Sequence, residues 1–156
     1  MRFKQYLTEE ITDAEIRDFI KRWKMKLSTY GVTEFDLSIH GFKRLNHERN
    51  KPPISVDDLD FVLEGFLKKV GNQFREDVVN VKNNTAKKRG FNKKQIPPNN
   101  LEFTVKSKST KVNFVFVLKQ DRHTKNTAIV LPMTIMRKKV FKTTKGEEVI
   151  VERRML

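Results

Sequence analysis

A chain of 156 residues with 37% apolar side chains is large enough for one hydrophobic core, and 12 Phe predict a core built largely of aromatic rings. The lack of Cys excludes a disulfide scaffold, a thiolate metal site and a cysteine nucleophile; no apolar run reaches the about 18 residues of a membrane-spanning helix, and the start MRFKQYLTEE lacks the apolar core of a secretory signal. Net charge is +14 and is carried by one half: residues 1–80 hold 14 Lys/Arg against 14 Asp/Glu, residues 81–156 hold 19 against 5. Such a field attracts polyanions and releases their counterions, so RNA or DNA is the expected partner class. An anionic membrane is disfavoured because the basic half is strand-like, and the competing reading is that the lysines serve solubility alone.

Residues 10–30 predict an amphipathic helix. Thr12 and Glu15 have capping-box spacing, Ile16, Phe19, Ile20, Trp23 and Leu27 recur at helical intervals, and Gly31 ends the run. From Thr33 to Ile39 the period becomes two, which predicts a half-buried strand. A helix is expected from His40 to about Asn50, where Lys51-Pro52-Pro53 breaks it. Ser55 with Asp58 then caps a second helix, whose apolar stripe runs from Val56 to Val70.

Residues 80–100, NVKNNTAKKRGFNKKQIPPN, are poor in apolar residues and read as a long mobile loop. Strands follow at LEFTVKS, KVNFVFVLKQ and TAIVLPMTIMRK, then a last pair, KVFKTT and EEVIVE, joined at Lys145-Gly146. Pro132 predicts a bulge or an edge position in the third of these. The expected fold is α+β, with N-terminal helices on one face of a four- to five-stranded, mostly antiparallel sheet, in one domain over 12–156.

The sequence holds no glycine-rich phosphate loop, no HExxH or other His spacing for a metal, and no serine elbow. Few carboxylates lie in the basic half, which disfavours a two-metal nuclease; no metal and no cofactor are expected. Cleavage of RNA without metal needs a base for the 2′-hydroxyl, an acid for the leaving oxygen and cations on the phosphate. At 100° per residue, His40, Lys43, Arg44 and His47 share an arc of about 100°, with Phe42 and Leu45 turned toward the core. The competing reading is an ordinary solvated helix face.

Other candidates are weaker. Asp121-Arg122-His123 suits a hairpin turn, with Lys119, Arg122 and Lys125 as cations around it. Arg137, Lys138 and Lys139 follow a strand, either as phosphate contacts or as a charged edge. Thr134 either orients a phosphate oxygen or packs as a β-branched residue.

The segment FDLSIHGFKRLNHERNKPPISVDDLDFVLEGFLKK resembles phage-encoded endoribonucleases of the RelE-like, barnase/EndoU/colicin group, with RegB-type messenger-cleaving nucleases as the nearest comparison. In that group a strand ends in His, and a helix follows with Arg four residues on and a second Arg beyond. His40, Arg44 and Arg49 occupy those positions, before Ile54-Ser55. The resemblance spans about residues 33–142 and implies a RelE-like domain with His40 catalytic and Arg44 and Arg49 on the phosphate. It implies cleavage of host or phage transcripts in the host cytoplasm to 2′,3′-cyclic phosphates, without metal. Lys51-Pro52-Pro53 lengthens the junction here and the second helix lacks the histidine that RegB-type enzymes place there. The proton partner of His40 therefore falls to His47, His123 or a Lys of the late strands. Residues 1–11 resemble the leader of proteins packaged in tailed-phage heads, on the tripeptide Leu7-Thr8-Glu9, which implies packaging in the virion. The alternative function is a non-catalytic nucleic-acid-binding or internal virion protein of the same fold.

Overall fold

The computed structural model describes residues 11–152; the expected leader lies almost wholly outside the described residues. The elements are α1 (Asp13–Ser28), β1 (Glu34–Phe35), α2 (Ile39–His47), α3 (Val56–Lys82), β2 (Leu101–Ser107), β3 (Val112–Lys119), β4 (Ile129–Arg137) and β5 (Glu147–Val151), with a short 3-10 turn at Lys93–Gln95. The α+β class and the placement of the helices on the sheet agree with the sequence reading. Both capping predictions hold: Glu15 N donates to Thr12 Oγ1 at 3.1 Å, the Glu15 carboxylate accepts from Thr12 N at 2.8 Å, and Asp58 N donates to Ser55 Oγ at 3.1 Å.

The strand order is β1-β4-β3-β2-β5. The long central pairings, β2 with β3 and β3 with β4, are antiparallel, while the short edge pairings, β1 with β4 and β2 with β5, are parallel. The sheet is thus antiparallel at its centre and mixed at its edges. Opposite Val115 and Phe116 the β4 register shifts, with Phe116 facing Pro132 and Val115 facing Thr134, so Met133 is the extra residue of a bulge. A proline has no N–H for the ladder, and the bulge predicted from Pro132 forms beside it.

The inward face carries Phe103, Phe114, Phe116 and Leu118, all buried, under α1 and α3. Phe66 of α3 sets its ring edge against Phe74, Phe103 and Phe116 at centroid distances of 5.3–5.4 Å, and Phe103 stacks on Phe116 at 5.0 Å. Aromatic pairs in these geometries contribute about 0.5–1.5 kcal/mol beyond their buried area. The phenylalanine-rich core expected from composition is present.

Three sequence expectations are corrected. The strand over 33–39 shrinks to Glu34–Phe35, because Ser38 caps α2 by accepting from Gly41 N at 2.9 Å and so draws Ile39 into the helix. The hairpin of KVFKTT and EEVIVE does not form. Residues 138–146 instead cross the sheet from the end of β4 to β5 on the far edge, where β5 runs parallel to β2. Period-two patterning marks a strand but not its neighbour, so the partner of EEVIVE could not be read locally.

The third correction concerns 80–100. The first residues of this stretch belong to α3, and several of those that follow make long-range contacts. The Arg89 guanidinium grips buried Asp77 at 2.7 and 3.0 Å and Glu147 at 2.7 Å, and Phe91 exchanges two backbone hydrogen bonds of 2.8 Å with Gly146. Burial lends a structural role to cations that composition could not reveal.

Candidate nucleic-acid site between α1 and α2

A shallow hollow of about 800 Å³ opens between the N-terminus of α1 and the outer side of α2. Its position follows from how α2 is anchored. Phe42 is fully buried with its ring 5.6 Å from that of Phe19, and the neighbouring Asn46 is also fully buried. Asn46 donates to Ile54 O at 2.8 Å and accepts from Ile54 N at 2.9 Å, which holds the chain after the Pro52-Pro53 break against the helix. With this side fixed inward, helical geometry turns His40 and Arg44 to solvent.

Thr12 and Asp13 line the hollow from α1; His40, Lys43, Arg44, His47 and Glu48 line it from α2. Lys43 Nζ pairs with Asp13 Oδ1 at 2.6 Å. Hydrogen bonding to Lys43, more than the remaining charge attraction, holds the exposed Asp13 carboxyl below its ordinary range. Lys43 is therefore already partly neutralised. Arg44 is exposed and forms no ion pair with the described residues. It lies one helical turn from His40 on one side and from His47 on the other, and the two histidine positions are about 10 Å apart along the helix axis.

Four of the sequence-predicted residues thus come together: His40, Lys43, Arg44 and His47. Arg49 does not join them. Nine steps of 100° carry it to the opposite side of the axis from His40, and the helix has ended by then. It stands exposed beyond α2 and does not line the hollow.

The remaining cations fall in two groups. Lys119 pairs in register with Ile129, and Val112 with Arg137, so Lys119, Arg122 and Lys125 lie at one end of β3 and β4 and Arg137, Lys138 and Lys139 at the other, about 25 Å away by strand rise. Arg137 is a structural staple. Its guanidinium donates to Asp58 at 3.0 Å and to Thr110 O at 2.8 Å, which gives it a structural role inside the fold. His123 sits in the β3–β4 turn, where its backbone N–H donates to Asp121 Oδ1 at 3.0 Å, the turn role weighed for it from sequence. Thr134 follows the bulge in β4 opposite Val115 and is half-buried.

Sequence reading missed Asn46 and Asn50, both buried. An asparagine at the inward position of an apolar helix stripe, with a second one turn later before a proline break, was the available signal. Among the described residues there is no cluster of His, Asp and Glu able to hold a metal ion, and no helix is long and apolar enough to cross a membrane. No known protein family matches this chain, and no curated protein or solved structure matches it either.

Proposed function

We propose that this protein binds RNA and cleaves it without a metal ion in the hollow between α1 and α2. The observation that carries the reading is the order of groups along the side of α2 that lines the hollow: an exposed imidazole at His40, an exposed guanidinium at Arg44 and a partly buried imidazole at His47. In such a site one imidazole takes the 2′-hydroxyl proton as O2′ attacks phosphorus, and the other protonates the departing 5′-oxygen. Arg44 and, less effectively, Lys43 offset the charge that builds on the phosphoryl oxygens. The products are a 2′,3′-cyclic phosphate and a 5′-hydroxyl. His40 and Arg44 are also the positions singled out by the resemblance to RelE-like phage endoribonucleases, which further implies transcripts in a host cytoplasm as substrate.

A second reading, nucleic-acid binding without chemistry, is favoured by one feature. Asp13 neutralises Lys43 and Arg49 lies off the hollow, which leaves Arg44 as its uncompensated cation among the described residues. Incubation of the full chain with end-labelled RNA in EDTA separates the two. Cleavage by the wild type that is lost in His40→Ala, with affinity kept, supports the first; binding to varied RNAs with no cleavage rejects it.

A further inference from the structure

We infer that Phe91 is a base-stacking residue at one end of a single-stranded nucleic-acid path on the outer face of the sheet. The inference rests on the nucleic-acid part of the proposed function and not on catalysis in the α1–α2 hollow.

Among the described residues, Phe91 is the only phenylalanine classed as exposed, at 50%, in a chain that buries eight others. A single exposed apolar ring is ordinary. What sets this one apart is how firmly its backbone is held. Phe91 N donates to Gly146 O and Gly146 N donates to Phe91 O, both at 2.8 Å, and the next residue, Asn92, donates its Nδ2 to Thr144 O at 2.6 Å. On the other side Arg89 is clamped by Asp77 and Glu147. Between them Gly90 has φ of +90°, and a Cβ there would fall 1.8 Å from Gly146 O, so only glycine permits this approach. The ring is thus presented to solvent from a fixed base, and its presentation costs little ordering on contact.

The charge around it has one sign. Lys93 and Lys94 are exposed on the turn that follows. Gly146 ends the crossover 138–146, which must return along the sheet because β4 and β5 both run parallel to β2. That crossover carries Lys139, Lys142 and Lys145 toward Phe91. Lys93, Lys94, Lys139 and Lys142 form no ion pair with the described residues, while Lys145 acts on half-buried Glu102, whose carboxyl is raised by burial and lowered by this lysine.

A row of lysines tracking a strand, ended by an aromatic face, is the chemistry of sequence-tolerant single-strand binding. A lipid surface fits less well, because the residues that follow the ring, Asn92, Lys93, Lys94 and Gln95, are all polar, and the exposed Val140 stands in the lysine-rich crossover, not in the turn that carries the ring.

The test is fluorescence anisotropy of the full chain with labelled 12-nucleotide U and dT oligomers over a salt series. Phe91→Ala is expected to weaken binding about 5- to 100-fold with the salt slope kept, since stacking does not depend on counterions. Lys93→Gln with Lys94→Gln should flatten the slope by up to about 1.4. Phe91→Trp should keep affinity and its emission should be quenched on binding. Phe91→Ala should melt like the wild type because the ring is exposed, and Met25→Ala, another exposed apolar site, should bind like the wild type. Unchanged affinity in Phe91→Ala, unquenched Phe91→Trp, tighter binding to duplex than to single strand, or capture by phosphatidylserine vesicles without oligomer binding would each overturn the inference. The reading of the α1–α2 hollow fails separately, by loss of any effect of His40→Ala on cleavage.

Discussion

Asn50 stands in for a strand beside β4: its Nδ2 donates to Ile135 O at 2.9 Å, and its Oδ1 accepts from Arg137 N at 2.9 Å. The same Nδ2 also reaches Asn46 Oδ1 at 3.1 Å, one turn back along the chain. Beyond Val130 the short β1 no longer covers this side of β4, so the two backbone groups would otherwise be left unpaired. The side chain that fixes the end of α2 is therefore also the side chain that closes the sheet edge.

Asn50→Ala strips partners from a buried carbonyl and a backbone amide, each worth about 1–3 kcal/mol when left unsatisfied. Urea unfolding should show a loss of about 2–4 kcal/mol. The α1–α2 hollow should lose its shape with it, since α2 is no longer tied to β4; circular dichroism and RNA affinity would report the two effects side by side.

Arg89 and Asp77 give a second stability test. The Asp77 side chain is only 6% exposed and depends on Arg89 for two hydrogen bonds. Removal of the cation in Arg89→Ala strands a buried carboxylate, at a cost of about 3–5 kcal/mol. Replacing both, as Arg89→Met with Asp77→Leu, should recover much of that loss. Equal instability of the single and double variants by chemical denaturation would contradict the role given to the pair.

Glu148 supplies a pH dependence. Its carboxyl lies below the ordinary value of 4.5, first because Lys106 hydrogen-bonds to it at 2.6 Å and next because Thr143 Oγ1 donates to it at 2.7 Å. A lowered folded value means that the unfolded chain takes up the proton first. The stabilisation is complete above about pH 4.5 and is lost as pH falls through the lowered value. Glu148→Gln should therefore unfold with a shallower dependence on pH below 4.5 than the wild type, while the two should differ by a nearly constant amount above pH 6.

The pairing of Lys43 with Asp13 makes an unusual prediction for binding. Arg44→Ala should weaken RNA binding more than Lys43→Ala, because Lys43 already spends its charge on a neighbour. Asp13→Asn should raise RNA affinity about two- to threefold at low salt by freeing Lys43, with the gain fading as salt screens it. A filter-binding series at two ionic strengths would decide this.

Much of this architecture was legible locally. Helix caps at Thr12 and Ser55, the apolar stripes of α1 and α3, the Pro132 bulge and the shared face of His40, Lys43, Arg44 and His47 all follow from spacing within a few residues. What escaped sequence reading is non-local. Whether Arg137 meets a phosphate or Asp58 depends on a residue 79 positions away, and the tethering of 80–100 depends on Glu147 and Gly146. Arg49 lies off the hollow for a different reason: the resemblance implied its role from order along the chain, whereas helix geometry turns it away from His40 and the helix ends at His47. Asn46 and Asn50 drew no role from sequence because asparagine is mostly a surface residue, and only burial reveals their work.

The most direct test of the central claim is the chemistry of the RNA ends left by the purified full chain in EDTA. Transesterification by His40 and His47 around Arg44 predicts 2′,3′-cyclic phosphates and 5′-hydroxyls, abolished in both His40→Ala and Arg44→Ala while RNA is still bound. Binding without new ends, or ends that persist unchanged in His40→Ala, would contradict it.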